Sequence, residues 1–158
     1  MRKLFCILLM VLLISGCSNE YDTWKKVEVQ NVGSLKMPQE WEYNENGDII
    51  YFSDKKTSDS SEYNIYLIGI ICNQDQIESL YKHIDENMKY EKLISSETLS
   101  NRAIIGENEY LINGKASHKF FLDLYSSNKK LHVIAVDDSV DYEIIKKIGK
   151  SYKMNTDR

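Results

Sequence analysis

Residues 102–137, RAIIGENEYLINGKASHKFFLDLYSSNKKLHVIAVD, decide the fold. Two turn signals divide this stretch, Asn113-Gly114 and Ser127-Asn128. Asn-Gly favours a two-residue hairpin turn because both residues accept positive φ. The segments on either side are rich in aliphatic and aromatic residues, which favour the pleated, half-buried surface of a sheet. A three-strand antiparallel meander follows, and its turns set the register. Ile105, Leu122 and Val133 form one cross-strand row and Ala103, Leu124 and Leu131 another, so one face is apolar and must be covered. The same register sets Glu109 opposite His118 and His118 opposite Asp137. This acid, histidine and acid row lies where the apolar face ends. Two carboxylates and an imidazole can bind a divalent metal or raise a histidine pKa, and the competing reading is a solvated rim. Asp123 falls opposite His132 on the other face, most simply as an ion pair.

Outward from the meander, Tyr63–Cys72 (YNIYLIGIIC) and Leu131–Val136 (LHVIAV) are nearly continuous apolar runs, the pattern of strands covered on both faces. A second Asn-Gly pair, Asn46-Gly47, predicts a hairpin with Tyr43 opposite Ile50 and Trp41 opposite Phe52. The polar stretch DKKTSDSSE, residues 54–62, reads as a loop between strands. After the first buried strand comes a helix with Asn73 as N-cap and Gln76 as its capping-box partner. Its apolar stripe is Ile77, Leu80, Tyr81, Ile84 and Met88; His83 falls on the polar side as a surface residue. A last helix starts at Asp138 or Ser139, has Asp141 and Glu143 in its first turn, and carries Lys146, Lys147 and Lys150 toward its end, a charge order that suits the helix dipole. Val140, Ile144, Ile145, Ile148 and Tyr152 form its stripe. These elements run in the order strands, helix, strand meander, helix, which predicts an α+β class.

At the N-terminus, Arg2 and Lys3 precede the apolar run Leu4–Ile14, which ends at Ser15-Gly16-Cys17. Eleven helical residues span about 16 Å, roughly half of a bilayer core, so the run reads as a signal h-region rather than a membrane span. Ile14-Ser15-Gly16-Cys17 resembles the lipobox of bacterial lipoproteins. That resemblance implies cleavage before Cys17, a diacylglyceryl thioether on its sulfur and anchoring to a bacterial membrane with the domain outside the cytoplasm. The expected organisation is a signal peptide over 1–16, a lipidated tether over 17–26, one domain over 27–154 and a disordered tail over 155–158. Of the three cysteines, Cys6 leaves with the signal and Cys17 takes the lipid. Cys72 remains, with no partner for an intramolecular disulfide, and reads as a buried small hydrophobe.

The chain has 158 residues, one proline and a formal charge of -4; cleavage before Cys17 removes Arg2 and Lys3 and takes the charge to -6. That sign disfavours nucleic acid, whose binding rests on neutralising phosphates. No nucleophile elbow, phosphate loop, HExxH or paired-cysteine motif is present. The run Val136–Asp141 lacks the glycine and twelfth-position glutamate of a calcium loop, and helix capping accounts for its acids. Eleven tyrosines with Trp24 and Trp41 could form a recognition surface or serve strand packing.

Gly33-Ser34-Leu35-Lys36-Met37-Pro38 followed by Trp41, the capped helix after a buried strand, and Ile144–Lys153 (IIKKIGKSYK) together resemble the PsbP/Mog1-like fold family over residues 32–153. The resemblance implies a central antiparallel sheet with helices on both faces, an α/β/α sandwich. It also implies a binding or assembly factor without a catalytic centre; no functional residue of that family maps onto a position here. The expected function is a non-catalytic, membrane-anchored module that binds a protein or other envelope component. The alternative is a lipoprotein that binds a small ligand or metal beside a transporter, with Glu109, His118 and Asp137 as its site. No cofactor other than the lipid on Cys17 is implied.

Overall fold

Asn113 and Gly114 both hold positive φ, 52° and 75°, as a type I′ turn requires. They join β7 (Ala103–Ile112) to β8 (Lys115–Tyr125), paired from Ile112 with Lys115 to Ala103 with Leu124. At the far end the Ser126 hydroxyl accepts the Lys129 N–H at 3.0 Å, and β9 (Lys130–Ala135) returns beside β8 with Leu124 opposite Leu131 and Leu122 opposite Val133. The computed structural model describes residues 23–54, 64–72, 76–127 and 129–154.

The meander is part of a seven-stranded antiparallel sheet in the order β3-β4-β5-β9-β8-β7-β6. Here β3 is Trp41–Asn46, β4 Ile49–Asp54, β5 Ile65–Cys72 and β6 Lys89–Ser100. The central strands β5 and β9 are the two apolar runs of the sequence, and both are buried over most of their length. A second sheet of three strands has the order β1-β2-β10, formed by Lys25–Val29, Gly33–Met37 and Lys153–Met154. Thus β1 begins two residues inside the stretch expected as a tether.

Two helices occur among the described residues. The first, α1 (Ile77–Ile84), has Gln76 at its N-cap without a side-chain capping bond; Asn73 lies outside the described residues. Asp85 leaves helical dihedrals at φ -155° and ψ 127°, so the helix stops before Met88, which is still buried beside it. The His83 Nε2 lies 2.7 Å from the Tyr51 hydroxyl and so ties α1 to β4. The second helix, α2 (Tyr142–Ser151), starts at Asp141, whose Oδ1 accepts the Ile144 N–H at 2.8 Å. That is later than the Asp138 or Ser139 start read from the sequence. Ile145 and Ile148 are fully buried, Ile144 and Tyr152 partly so. The Tyr152 hydroxyl lies 3.0 Å from both the Val32 and the Tyr125 carbonyl oxygens, locking the end of α2 onto both sheets.

These dimensions correct the expected class. The molecule is mostly β, with 60% of its described residues in strands and two antiparallel sheets, and it is not an α+β sandwich with helices packed on both faces. The physical reason is that an eight-residue helix is too short to cover a seven-stranded sheet, while Lys25–Val29 and Lys89–Ser100 form strands that carry no strong apolar period. On one face the cover over Ile50, Phe52, Ile105, Leu122 and Val133 is shared by β1, β2 and α2.

The first hairpin also departs from its expected register. Its central residues are Gly47 and Asp48, with Asn46 opposite Ile49, Tyr43 opposite Phe52 and Trp41 opposite Asp54. Positive φ falls at Gly47, 65°, which fits glycine at the first central position of a II′ turn rather than Asn-Gly at both. The shift is by two in the pairing, so the side chains keep their faces. Trp41 is buried and stacks on Tyr66 at 4.7 Å, and Phe52 lies in the core.

Candidate functional site

Strands β7 and β8 outrun the cover provided by α2, so their far ends carry polar groups on the face that is apolar nearer the centre. There Glu109 lies opposite His118. Asp137 does not join them. The β8–β9 pairing ends at Phe121 with Ile134, and beyond it Val136 and Asp137 turn toward the Tyr66 carbonyl. The Asp137 Oδ1 accepts the Ser139 N–H at 2.7 Å, and hydrogen bonding from the Ser139 side chain and backbone holds its carboxyl below the usual range. The expected row of Glu109, His118 and Asp137 is therefore corrected. A turn-forming carboxylate is engaged locally and leaves the ladder.

Glu107 takes the third place. The His118 Nδ1 lies 3.1 Å from Glu107 Oε1 and its Nε2 lies 3.1 Å from Glu109 Oε2. Lys92 on β6 reaches Glu109 at 3.3 Å. Glu109 is held below the usual carboxylate range first by the hydrogen bond from His118, then by that from Lys92. The signal for Glu107 was its spacing of two from Glu109, which puts both on one side of a strand. Each imidazole nitrogen of His118 thus faces a carboxylate oxygen at hydrogen-bonding distance. No group of three or more His, Cys, Asp or Glu able to hold a metal occurs among the described residues.

On the opposite face Asp123 and His132 are neighbours on β8 and β9. Both are buried, with 9% and 3% of their surface exposed. The His132 Nδ1 is 2.6 Å from Asp123 Oδ1, while Tyr125 and Lys130 approach Oδ2 at 3.3 and 3.4 Å. Burial, the largest influence, would raise the Asp123 carboxyl; the His132 hydrogen bond, the His132 charge and Lys130 outweigh it and hold the group below its ordinary value. Burial and the same carboxylate push the Tyr125 hydroxyl up to about 12, so it donates. The His132 ring stacks on Phe121 and meets the Tyr81 ring of α1 edge-on, and its Nε2 has no hydrogen-bond partner among the described residues. An acid that orients an imidazole is half of a nucleophile-activating system, but here the outward nitrogen is enclosed by aromatic rings. Cys72, opposite Lys130 on β5, is buried, and burial raises its thiol pKa. The geometry makes this cluster a buried anchor between the sheet and α1.

A cleft of about 160 Å³ opens at the end of α1 between Met88, Ile112, Ile134 and Val136. Its cationic wall is Lys119, which already donates to Asp138 Oδ1 at 2.8 Å and to the Val136 carbonyl at 3.3 Å.

The most exposed regular element is the edge strand β6. Nearly all of its twelve residues are solvent-exposed, among them Tyr90 (46%), Leu93 (49%) and Ile94 (41%), the exposed large hydrophobic residues among the described residues. Glu91, Ile94 and Leu99 are extra residues at bulges in its pairing with β7. It is nonetheless held at both ends. Tyr90 packs on Tyr110 at 6.1 Å, and Glu97 Oε2 accepts from Tyr142 at 2.8 Å and Lys146 at 2.6 Å. In the middle, Gly106 of β7 lets the Ser95 carbonyl and the Phe121 ring come close, 2.3 and 2.6 Å from where a Cβ would stand. A twelve-residue edge with exposed apolar side chains is a template for pairing with another chain unless something covers it. Sequence reading missed β6 because a strand exposed on both faces shows no apolar period.

In comparisons with known proteins the chain matches no family model and no curated protein sequence.

Proposed function

We propose that this chain is a membrane-anchored lipoprotein outside the cytoplasm that works as a non-catalytic binding or assembly module, engaging a protein of the cell envelope along the edge strand β6. The single observation that carries the reading is the long exposed edge with Tyr90, Leu93 and Ile94 left uncovered. Main-chain groups of such an edge supply affinity, and the apolar side chains beside them supply selectivity. The reading draws nothing from the PsbP/Mog1-like resemblance, whose implied architecture differs from the one observed.

A photo-crosslinking side chain at Ile94, in the full chain expressed in its own membranes, is expected to give one discrete product. The same group at Glu40, exposed in the β2–β3 turn, should give none. Identical patterns at the two positions, or no product at Ile94, would count against an edge-docking role.

The anchor rests on the lipobox resemblance at Cys17, which lies outside the described residues. Cys17→Ser is expected to abolish lipid labelling and release the protein from the membrane fraction. Unchanged labelling and fractionation would refute the anchor.

A further inference from the structure

We infer that the occupant of the β6 edge is a second copy of this chain, paired antiparallel about a two-fold axis at Leu93; this rests on the reading of β6 as a docking edge. Two copies joined edge to edge by a two-fold keep their faces, so residues brought opposite must point to the same side of the sheet. The bulges decide which registers satisfy that condition. Through its pairing with β7, β6 sets Tyr90, Leu93 and Ser96 opposite Tyr110, Asn108 and Gly106, and Lys92 and Glu97 opposite Glu109 and Ile105. The first group therefore lies on the α1 side and the second on the α2 side. Lys89, opposite Leu111, joins the second.

From Leu93 toward Lys89 there is one extra residue, Glu91, and from Leu93 toward Glu97 there is one, Ile94. The two halves are thus matched in length and in side. A two-fold at Leu93 brings Leu93 opposite its own copy, Tyr90 opposite Ser96 and Lys89 opposite Glu97, each pair sharing a face. Moving the axis by one residue, to Ile94, would put Glu91 opposite Glu97.

The charges agree with this register. The Lys89 end of one strand meets the Glu97 end of the other, twice over. Tyr142 and Lys146 both use Glu97 Oε2, and an ionised carboxylate has acceptor sites on both oxygens. The apolar Leu93 and Ile94 come together near the axis, which removes the exposed hydrophobic surface that edge strands otherwise leave to unspecific association. Because each copy uses its own β6, the contact closes on itself and does not propagate.

The test mixes full-length chains of natural and heavy nitrogen composition in detergent micelles and couples carboxylates to amines with a zero-length carbodiimide. A Lys89–Glu97 link between peptides of different isotope composition is the expected product. Leu93→Lys, at a half-exposed position where folding tolerates the change, should abolish that link and convert the sedimenting dimer to monomer. The mirrored pair is a second check, with Lys89→Glu weakening self-association and an equal mixture of Lys89→Glu and Glu97→Lys chains restoring it. A chain that stays monomeric to about 100 µM, or a Lys89–Glu97 link found within single chains, would overturn the self-pairing. If the crosslinker at Ile94 then captures a different protein, the second-copy assignment fails while the edge-docking role stands; if it captures nothing, both fail.

Discussion

Replacing Asp123 with alanine is expected to lower folding stability by about 3–5 kcal/mol, the usual cost of removing one partner from a buried charged pair. Asp123 Oδ1 is the acceptor for His132 Nδ1, and Oδ2 serves Tyr125 and Lys130. Without it three donors lose their partner, two of them, on His132 and Lys130, on largely buried side chains. The loss should be seen in chemical denaturation as a lowered midpoint with an unchanged slope. The double replacement Asp123→Leu with His132→Phe should recover most of it, since an apolar pair of similar volume replaces a buried ionic one at little cost. If Asp123→Ala shifts the midpoint no more than a surface substitution does, the pair is not an anchor.

The same pair sets a pH dependence. The folded-state pKa of Asp123 is depressed, so its contribution is fully present above the unfolded value, near 4, and is lost as pH falls through the folded one. Wild-type stability should therefore decline below about pH 4, and Asp123→Asn should show a flatter decline over that range. Equal slopes for the two proteins would show that Asp123 does not take up a proton on unfolding.

Gly106→Ala is expected to cost about 3 kcal/mol and to loosen β6 selectively. An added Cβ would stand 2.3 Å from the Ser95 carbonyl oxygen and 2.6 Å from the Phe121 ring. The first of these is backbone, so it yields only if β6 moves away from β7. Hydrogen exchange should accelerate in Lys89–Ser100 while β5 and β9 stay protected, and the mixed-isotope link through Lys89 and Glu97 should fall with it. Gly47→Ala is the control. Nothing lies within 4 Å of its added carbon, and the positive φ alone costs about 1 kcal/mol. Similar exchange profiles for the two variants would contradict the steric role assigned to Gly106.

The legible parts of the fold were those where a local rule and burial act together. Asn113-Gly114 set the β7–β8 register to the residue, and with it the juxtaposition of Glu109 with His118; the separate β8–β9 pairing sets Asp123 opposite His132. Asn46-Gly47 predicts the hairpin one position early because the same dipeptide fits two turn types; the turn centres on Gly47-Asp48, with Asn46 opposite Ile49. Asp137 was placed by extending the ladder past its last pair, where a carboxylate that can cap its own turn finds a nearer partner in Ser139. The small sheet was invisible because β10 meets β2 across nearly the whole chain.

By itself, the sequence determined the meander, its apolar face, the two doubly covered strands and the final helix, because hydrophobic period and turn chemistry are local properties of the chain. Tertiary structure alone decided that the molecule is mostly β, that Glu107 rather than Asp137 joins His118, that Asp123 and His132 are buried beneath α1, and that β6 forms an edge with its apolar residues uncovered. Each of these depends on where covering elements begin and end, and cover is a property of neighbours far apart in the chain.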